Sequence, residues 1–475
     1  MRDWTTASLT DTADALVSGA VRARELAEAV LDRIDRLAPR LACFTEVDAE
    51  GYRLTSDRAD RALAQGRRLG RLHGVPLAHK DMFRRRGRTV RYGSRVPAFP
   101  SGGETATVLD RLDRAGGIDI GQLAMVEFAM GPHGFNSNYP PCRNPWNLSF
   151  IPCGSSSGSG VAVAAGLVHG SLGSDTGGSV RCPASANGVV GLLPTQGRLS
   201  RFGMMPGCAS MDAAGPIART VRDVAAMMDA IAGPDPQDSS ARSGLSTDFE
   251  AALDGPPRRL RIGLARGYFD DGLHSDTTAA VEAAAETLLG RGFDVREVNM
   301  PVELLQDVAD LHPLVMKAEA AAHHAVLLRD CPELYTPQVG TRLQAGLFIP
   351  ASDYLAALRV RGRLLRDFLK VAFAQCDMLL TSTLATRIPT IEDTSSATGQ
   401  AYLDMVVALT RNTKVISYLG LPALSLPCGF DGNGLPIGMQ LVGRPFQEAD
   451  LLYVGAAYQL HSDWHTRRPP LDIAC

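Results

Sequence analysis

The chain of 475 residues lacks the features of exported, membrane-spanning or nucleic-acid-binding proteins. No segment approaches the roughly 18 consecutive apolar residues of a membrane span, and the stretch Met1–Thr6 has no signal-peptide core. The nine cysteines include no Cys-x-x-Cys pair, which indicates reduced, mostly buried thiols. A formal net charge of -3 with only short basic stretches argues against a nucleic-acid partner or a membrane surface. We therefore expect a cytoplasmic protein.

Metal and cofactor motifs are also missing. His323 and His324 are neighbours on a predicted helix and therefore diverge, and no His-Glu-x-x-His spacing occurs. The glycine- and serine-rich stretch Gly154–Gly160 has no Gly-Lys-Ser/Thr ending, which excludes a phosphate loop. We expect no metal and no cofactor.

Apolar periodicity alternates between strand-like and helical segments, which predicts an α/β fold with a sheet between layers of helices. The predicted strands are Val75–Ala78, Leu260–Ala265, Phe293–Val298, Asp377–Thr383, Ala423–Pro427 and Ile437–Val442. The predicted helices are a long outer helix over Thr10–Leu37 with Ser8 or Thr10 as its cap, then Thr105–Ala115, Gly158–Val168, Thr277–Leu289, Glu303–Arg329 and Tyr354–Phe373. A turn is expected to lead into Ser174.

The turn Gly154–Gly160 runs directly into the small apolar sequence Val161–Ala165, which is typical of a buried helix. Such a turn gathers backbone N–H groups at a helix N-terminus and suits an anionic ligand or transition state. One interpretation is a Gly-x-Ser-x-Gly nucleophile elbow centred on Ser156. It requires a strong preceding strand, whereas Phe150–Cys153 is short and contains proline.

A second interpretation uses Lys80 as a base for a serine nucleophile. A buried lysine can be neutral near pH 7, and Lys80 follows the apolar run Val75–Ala78 by two residues. The alternative for Lys80 is an ordinary salt bridge with Asp81 or another carboxylate.

Three segments together resemble the amidase signature family. They are the lysine segment Gly74–Asp81, the turn around Ser155, and Gly173–Arg181 with Ser179. The resemblance continues through Arg143–Trp146, Gly191–Arg198, Gly215–Thr220, Gly420–Pro427 and Gly434–Gly443. It is dense over about residues 70–225 and 415–450, and thin between about 230 and 410.

The resemblance implies that Ser179 is the nucleophile, Ser155 a relay held by a cis peptide bond, and Lys80 the base. It implies an oxyanion hole formed by backbone N–H groups of Thr176, Gly177, Gly178 and Ser179. Ser179 would attack an amide carbonyl, an amine or ammonia would leave, and water would release the acid from an acyl-enzyme.

Other residues near these motifs have structural interpretations. Asp175 and Arg181 flank the nucleophile and are expected to form an ion pair that fixes its loop. Arg361 lies where some relatives hold a substrate carboxylate, although a solvated helix face is the simpler interpretation.

Departures from the pattern of the tRNA-dependent amidotransferases favour a hydrolase that acts alone. Phe135 replaces an acidic residue, Cys182 stands where glutamine is usual, and Gln196 where tyrosine is usual. A glutamine-amidase A-type subunit is the first alternative, and a non-catalytic binding protein on the same scaffold is the second. The candidate residues of an apolar acyl pocket are Met130, Gly131, Phe135, Ile416 and Tyr418.

The resemblance also implies a large mixed, twisted β-sheet covered by helices on both faces. Residues 1–475 would form a single domain, with the variable part 235–410 overhanging the active site. The expected partner is a small-molecule amide substrate, and a homodimer is possible among such proteins.

Overall fold

A computed structural model describes residues 3–96, 103–243, 248–256 and 258–471 as an α/β protein. The strands are β1 Phe44–Val47, β2 Pro76–Lys80, β3 Ile118–Leu123, β4 Gly170–Asp175, β5 Val190–Leu193, β6 Ala213–Ala218, β7 Arg261–Gly267, β8 Asp294–Met300, β9 Met378–Ser382, β10 Ala423–Phe430 and β11 Pro436–Gly443. The helices are α1 Leu9–Ser18, α2 Ala23–Leu41, α3 Ala49–Ala64, α4 Thr107–Arg114, α5 Ser157–Ala164, α6 Arg181–Asn187, α7 Val221–Ile231, α8 Phe249–Leu253, α9 Ser275–Leu289, α10 Val302–Asp330, α11 Pro337–Gly346, α12 Ala351–Ala372, α13 Ile391–Ser396, α14 Gly399–Leu419 and α15 Glu448–Gln459.

All eleven strands join one mixed sheet in the order β1-β3-β2-β4-β6-β5-β10-β11-β9-β7-β8. Strands β3, β2 and β4 are parallel neighbours, as are β9, β7 and β8. Antiparallel pairs connect these two groups through β6, β5, β10 and β11. The predicted α/β class and large mixed sheet are confirmed.

Two predicted elements differ from the structure. The long N-terminal helix is divided into α1 and α2, because Gly19 adopts a left-handed conformation with φ of 75° and ends α1. Ser8 caps α1 by accepting a hydrogen bond from the Asp11 N–H at 3.1 Å. Ser174 lies inside strand β4 and not after a turn; every residue of β4 is buried, in keeping with its central place in the sheet.

The apolar core has two main parts. The larger packs α2, α5 and α7 against the β2, β4 and β6 region. The second lies among α10, α12 and α14 and includes Leu305, Phe368 and Val415, all fully buried. Among the described residues, no helix combines the length and apolarity needed to cross a membrane.

Candidate active site

Parallel strand ends bring Lys80 and Ser174 together. Lys80 is the last residue of β2, and the paired residues Ala78 and Ser171 set the register with β4. Because the carboxyl ends of parallel strands meet at one edge, the Lys80 side chain reaches the Ser174 hydroxyl, with Nζ and Oγ 2.8 Å apart. Lys80 is fully buried.

Ser155 contacts the same amine from the turn that precedes α5. Its Oγ lies 2.7 Å from Lys80 Nζ, and its side chain is fully buried. The peptide bond between Gly154 and Ser155 is cis. Gly158 allows α5 to pack closely, because a Cβ there would lie 2.6 Å from the Ala124 amide nitrogen.

Burial lowers the pKa of Lys80 from 10.5 to about 7, although the Asp212 and Asp175 carboxylates act in the opposite direction. The predicted alternative of a salt bridge with Asp81 is wrong. Asp81 instead accepts hydrogen bonds from the Arg91 N–H at 3.0 Å and from Gln122 at 3.2 Å. Lys80 has no carboxylate partner within 4.0 Å in the described ranges. A large fraction of its amine is therefore neutral near pH 7.

Ser156 does not fit the elbow interpretation. Its side chain is fully buried, and its hydroxyl both donates to the Ser174 carbonyl and accepts from the Ser174 N–H, each at 3.3 Å. The residue precedes α5 as its N-cap, whereas an elbow nucleophile must expose its oxygen.

Ser179 lies in the turn between β4 and α6 and lines a cavity of about 100 Å³. The Ser156 N–H donates to the Ser179 carbonyl at 3.3 Å, which connects the turn containing Ser155 to this loop. Ser179 is half-buried and faces the cavity, unlike Ser155 and Ser156. The turn that contains Ser155 and the loop that contains Ser179 are thus joined through their backbones.

Asp175 and Arg181 form a fully buried ion pair beside this loop. Arg181 Nε and Nη2 each lie 3.0 Å from a different oxygen of Asp175. Burial disfavours the carboxylate charge, but Arg181 and the N–H groups of Gly178 and Val180 outweigh burial and lower the pKa of Asp175. The pair therefore fixes both ends of the turn.

The four predicted oxyanion donors are not equivalent. The Gly178 N–H donates to Asp175 Oδ1 at 2.8 Å and is not available to a substrate, so its assignment is corrected. Among the described residues, the N–H groups of Thr176, Gly177 and Ser179 have no acceptor, and all three residues line the cavity. The carboxylate of Asp175 thus shapes the loop by engaging one of the four donors.

His312 is a site residue that the sequence analysis missed. Its Nε2 lies 2.9 Å from the Thr176 carbonyl and must donate, because a carbonyl only accepts. Burial lowers the pKa of His312 to about 4, so the ring is neutral at pH 7. A Cβ on Gly177 would lie 2.9 Å from the same nitrogen, which places His312 directly against the loop. The sequence signal for this position is the His312-Pro313 pair within the long helix α10.

The cavity is lined by the loop Thr176–Ser179, by Gly131 and Pro132, and by the helices α10, α11 and α14. The helix residues are His312, Pro313, Met316, Arg342, Val406, Val407, Thr410 and Lys414. Of the five predicted pocket residues, Gly131 lines the cavity. Met130 is buried beside it, and its carbonyl accepts a hydrogen bond from Arg342 at 2.8 Å.

Phe135, Ile416 and Tyr418 do not line the cavity, and their assignment was wrong. Phe135 is half-buried and follows Gly134, whose φ is 73°. Ile416 and Tyr418 are fully buried in the second core at the C-terminal end of α14. There the Tyr418 hydroxyl donates to the Ala357 carbonyl of α12 at 2.6 Å.

Arg361 is neither a solvated side chain nor a cavity residue. It donates to the Ser210 carbonyl at 2.6 Å and to the Gln196 side chain at 2.8 Å, and burial lowers its pKa. These bonds join α12 to neighbouring loops. His323 is exposed and His324 is buried against Tyr335, so the two rings diverge as predicted.

Comparisons with known proteins cover nearly the whole chain. The family model described as Amidase matches residues 25–452. The A-type subunit of the glutamyl-tRNA(Gln) amidotransferase from Cupriavidus necator is 38% identical, over 97% of this chain and 98% of that relative.

Two solved structures share the fold over nearly their full length. A chain from a vestigial protein complex that bears on the origins of an s-triazine catabolic enzyme is 33% identical. It has a TM-score of 0.89 over 95% of this chain and 98% of its own. The 6-aminohexanoate cyclic dimer hydrolase in complex with substrate is 26% identical, with a TM-score of 0.89 over 99% and 100% of the two chains.

Proposed function

The chain belongs to the amidase family, and we propose that it hydrolyses a carboxylic amide through Ser179, with Ser155 as relay and Lys80 as base. The observation that carries this proposal is the buried Lys80 amine, which lies 2.7 Å from Ser155 Oγ and has a pKa of about 7. An amine with that pKa can both accept and return a proton at neutral pH.

The reaction has two halves. Ser179 Oγ forms a bond to the amide carbon while its proton passes through Ser155 to neutral Lys80. The carbonyl oxygen becomes an oxyanion that the N–H groups of Gly177 and Ser179 stabilise. The C–N bond then breaks as the proton returns to the leaving nitrogen. Water repeats the sequence on the acyl-enzyme and releases the acid.

The comparisons favour an A-type amidotransferase role over a hydrolase that acts alone. The relative from Cupriavidus necator and a second one from Roseiflexus castenholzii, 39% identical over 96% of this chain, both carry the name of that amidotransferase component. The preferred candidate is therefore an ammonia-releasing protein that takes glutamine and works with partner proteins.

A hydrolase without partners is the second candidate, and the cavity favours it. A free glutamine presents an α-ammonium group, which a buried site normally pairs with a carboxylate. No Asp or Glu is among the residues that line the cavity in the described part of the chain. Thr410 and Lys414, which line it from α14, offer that group no negative charge.

Ammonia release tests the proposal. The purified chain is assayed with glutamine and with a panel of aliphatic and aromatic primary amides, with and without ATP, tRNA(Gln) and the partner proteins of an amidotransferase. We expect release from at least one amide by the wild type and its loss in Ser179→Ala, with Ser156→Ala as the matched control. Activity in Ser179→Ala equal to wild type would refute the assignment. Glutamine turnover that requires partner proteins supports the amidotransferase role, and partner-independent turnover supports the second candidate.

A further inference from the structure

Lys414 is a buried cation at the active-site cavity that the proposed chemistry does not use. It lies on α14 and lines the cavity together with Ser179, and only 8% of its surface is exposed. Within the described ranges it has no recorded hydrogen bond and no ion pair within 4.0 Å. Asp310 attracts the Lys414 charge only from beyond this distance. The Asp310 carboxylate is exposed and accepts a hydrogen bond from Gln306 at 2.7 Å.

Lys414 lies close to the loop that carries Ser179. A Cβ at Gly177 would lie 3.9 Å from Lys414 Cβ, and Gly177 is two residues from the nucleophile. Thr413, the preceding residue, donates to the Gly177 carbonyl at 2.7 Å. Lys414 therefore lies beside the loop that carries Ser179, and its charge is close enough to His312 to contribute to the lowered pKa of that ring.

A second cation lies at the same cavity. Arg342 of α11 also lines the cavity; its guanidinium donates to the Met130 carbonyl at 2.8 Å and also bonds to Tyr402. The other titratable lining residue, His312, is neutral because burial lowers its pKa to about 4. The described lining residues thus include two cations, Arg342 and Lys414, and no carboxylate, and the others are neutral.

Two cations with no carboxylate beside them have an unfavourable desolvation energy. A buried ammonium without a partner loses its hydration, and burial accordingly lowers the pKa of Lys414. An anion that enters the cavity restores the balance, and a carboxylate suits both the lysine point charge and the planar guanidinium.

We propose that the substrate is a small amide whose acyl part carries a carboxylate, and that Lys414 binds this carboxylate with the assistance of Arg342. The inference rests on the proposed amide hydrolysis and specifies its substrate class as monoamides of small dicarboxylic acids. An α-ammonium group is not required, since the described lining of the cavity offers it no carboxylate.

Competition between matched substrates tests this inference. Glutaramate, the monoamide of glutaric acid, is compared with pentanamide, which has a methyl group in place of the carboxylate. We expect wild-type kcat/KM to favour glutaramate, and Lys414→Met to reduce the ratio of the two kcat/KM values at least about 30-fold. Lys414→Arg should restore part of it. The chain has only four lysines, so Lys370→Met on exposed α12 is a matched control that should leave the ratio unchanged.

Failure of this inference differs from failure of the proposed function. Hydrolysis that depends on Ser179 but favours pentanamide, or an equal loss with both substrates in Lys414→Met, overturns the carboxylate site alone. Ammonia release that survives in Ser179→Ala overturns the proposed function.

A binding measurement decides the matter independently of turnover. Calorimetry with glutarate is expected to detect binding to the wild type and to Lys370→Met, with affinity reduced at least about 30-fold in Lys414→Met. Equal affinity for glutarate in all three proteins, or wild-type affinity for glutarate no greater than for pentanoate, overturns the inference. Thermal unfolding of each variant verifies that it is folded.

Discussion

At the scale of the residue, Lys80 illustrates how burial converts a common surface cation into a base. Apolar surroundings lower its pKa by several units, and each unit corresponds to about 1.4 kcal/mol of preference for the neutral form. The hydroxyls of Ser155 and Ser174 accept hydrogen bonds from the amine without supplying the negative charge that would restore its usual pKa. The burial that makes Lys80 suitable as the proposed base therefore lowers the stability of the folded protein.

The stability cost of burying Lys80 predicts the activity and the stability of Lys80→Met. The depressed pKa means that the unfolded chain binds more protons than the folded one between about pH 7 and the ordinary lysine pKa of about 10.4. The loss in free energy of unfolding that the buried Lys80 causes is therefore at its maximum below pH 7, and it disappears as the pH rises through that window. We expect Lys80→Met to lose amidase activity at least about 1000-fold while its free energy of unfolding at pH 7 is not lower than that of the wild type.

Urea unfolding at pH 7 and pH 10 measures this effect. Any advantage of Lys80→Met over the wild type should be smaller at pH 10. Ser155→Ala, which retains the lysine, serves as the control. A variant that is much less stable than the wild type at pH 7 would contradict the account.

At the scale of the element, α14 has two parts with different tasks. Thr410, Thr413 and Lys414 lie against the nucleophile loop and its cavity, whereas Ile416 and Tyr418 pack into the second core. The predictions of Ile416 and Tyr418 as pocket residues fall in the part of this helix that packs into the core. Apolar character does not distinguish a core from a substrate cavity.

Two glycine substitutions are expected to have opposite effects. The first, at Gly178, lies where α14 packs against the loop that carries Ser179. Gly178 has a φ of 127°, and a Cβ there would lie 2.7 Å from Cys182 Sγ and also meet the Thr413 hydroxyl. Gly178→Ala should therefore lose nearly all activity and destabilise the fold. Gly362 lies within α12 with no atom near its added Cβ, so Gly362→Ala should stabilise the protein by up to about 1 kcal/mol.

Thermal unfolding and ammonia release on the two variants check this pair. Full activity in Gly178→Ala would show that the loop tolerates a displacement which the structure does not accommodate.

At the scale of the whole molecule, Arg181 connects parts of the chain that are distant in sequence. Besides Asp175 it donates to the Thr413 carbonyl at 3.0 Å, to Ser417 at 2.7 Å and to Gln440 at 3.2 Å. The loop that carries the nucleophile is thus joined to α14 and to strand β11. The geometry of the site depends on the meeting of both halves of the sheet.

Removing the Arg181 guanidinium should destabilise the fold, because it leaves the Asp175 charge buried without its cationic partner. We expect Arg181→Met to lower the free energy of unfolding by about 3–5 kcal/mol, measured by chemical denaturation. Exposed Arg359 on α12 provides the control substitution Arg359→Met. The double variant with Asp175→Asn should recover part of the loss, and a double variant that is less stable by the sum of the two single losses would contradict this interpretation.

The sequence predicted the α/β fold and the burial of Lys80 better than it predicted the residues that line the cavity. The positions of Lys80, Ser155 and Ser179 follow from short motifs at strand ends and helix starts, where local sequence determines local structure. The places of His312, Arg342 and Lys414 do not, since they reach the cavity from helices whose packing depends on the whole fold. The division of the N-terminal helix at Gly19 shows the same limit, because apolar periodicity continued across the break.

The central claim is that neutral Lys80 activates Ser179 through Ser155. Inactivation by a serine-directed phosphonate, followed over pH and mapped by peptide mass spectrometry, tests it most directly. The account predicts a label on Ser179 and an inactivation rate that falls about tenfold per pH unit below about pH 7 and levels off above it, as the Lys80 pKa requires. In Lys80→Met the rate should be low at every pH. A label on Ser156, or a rate that does not change with pH in the wild type, would contradict the claim.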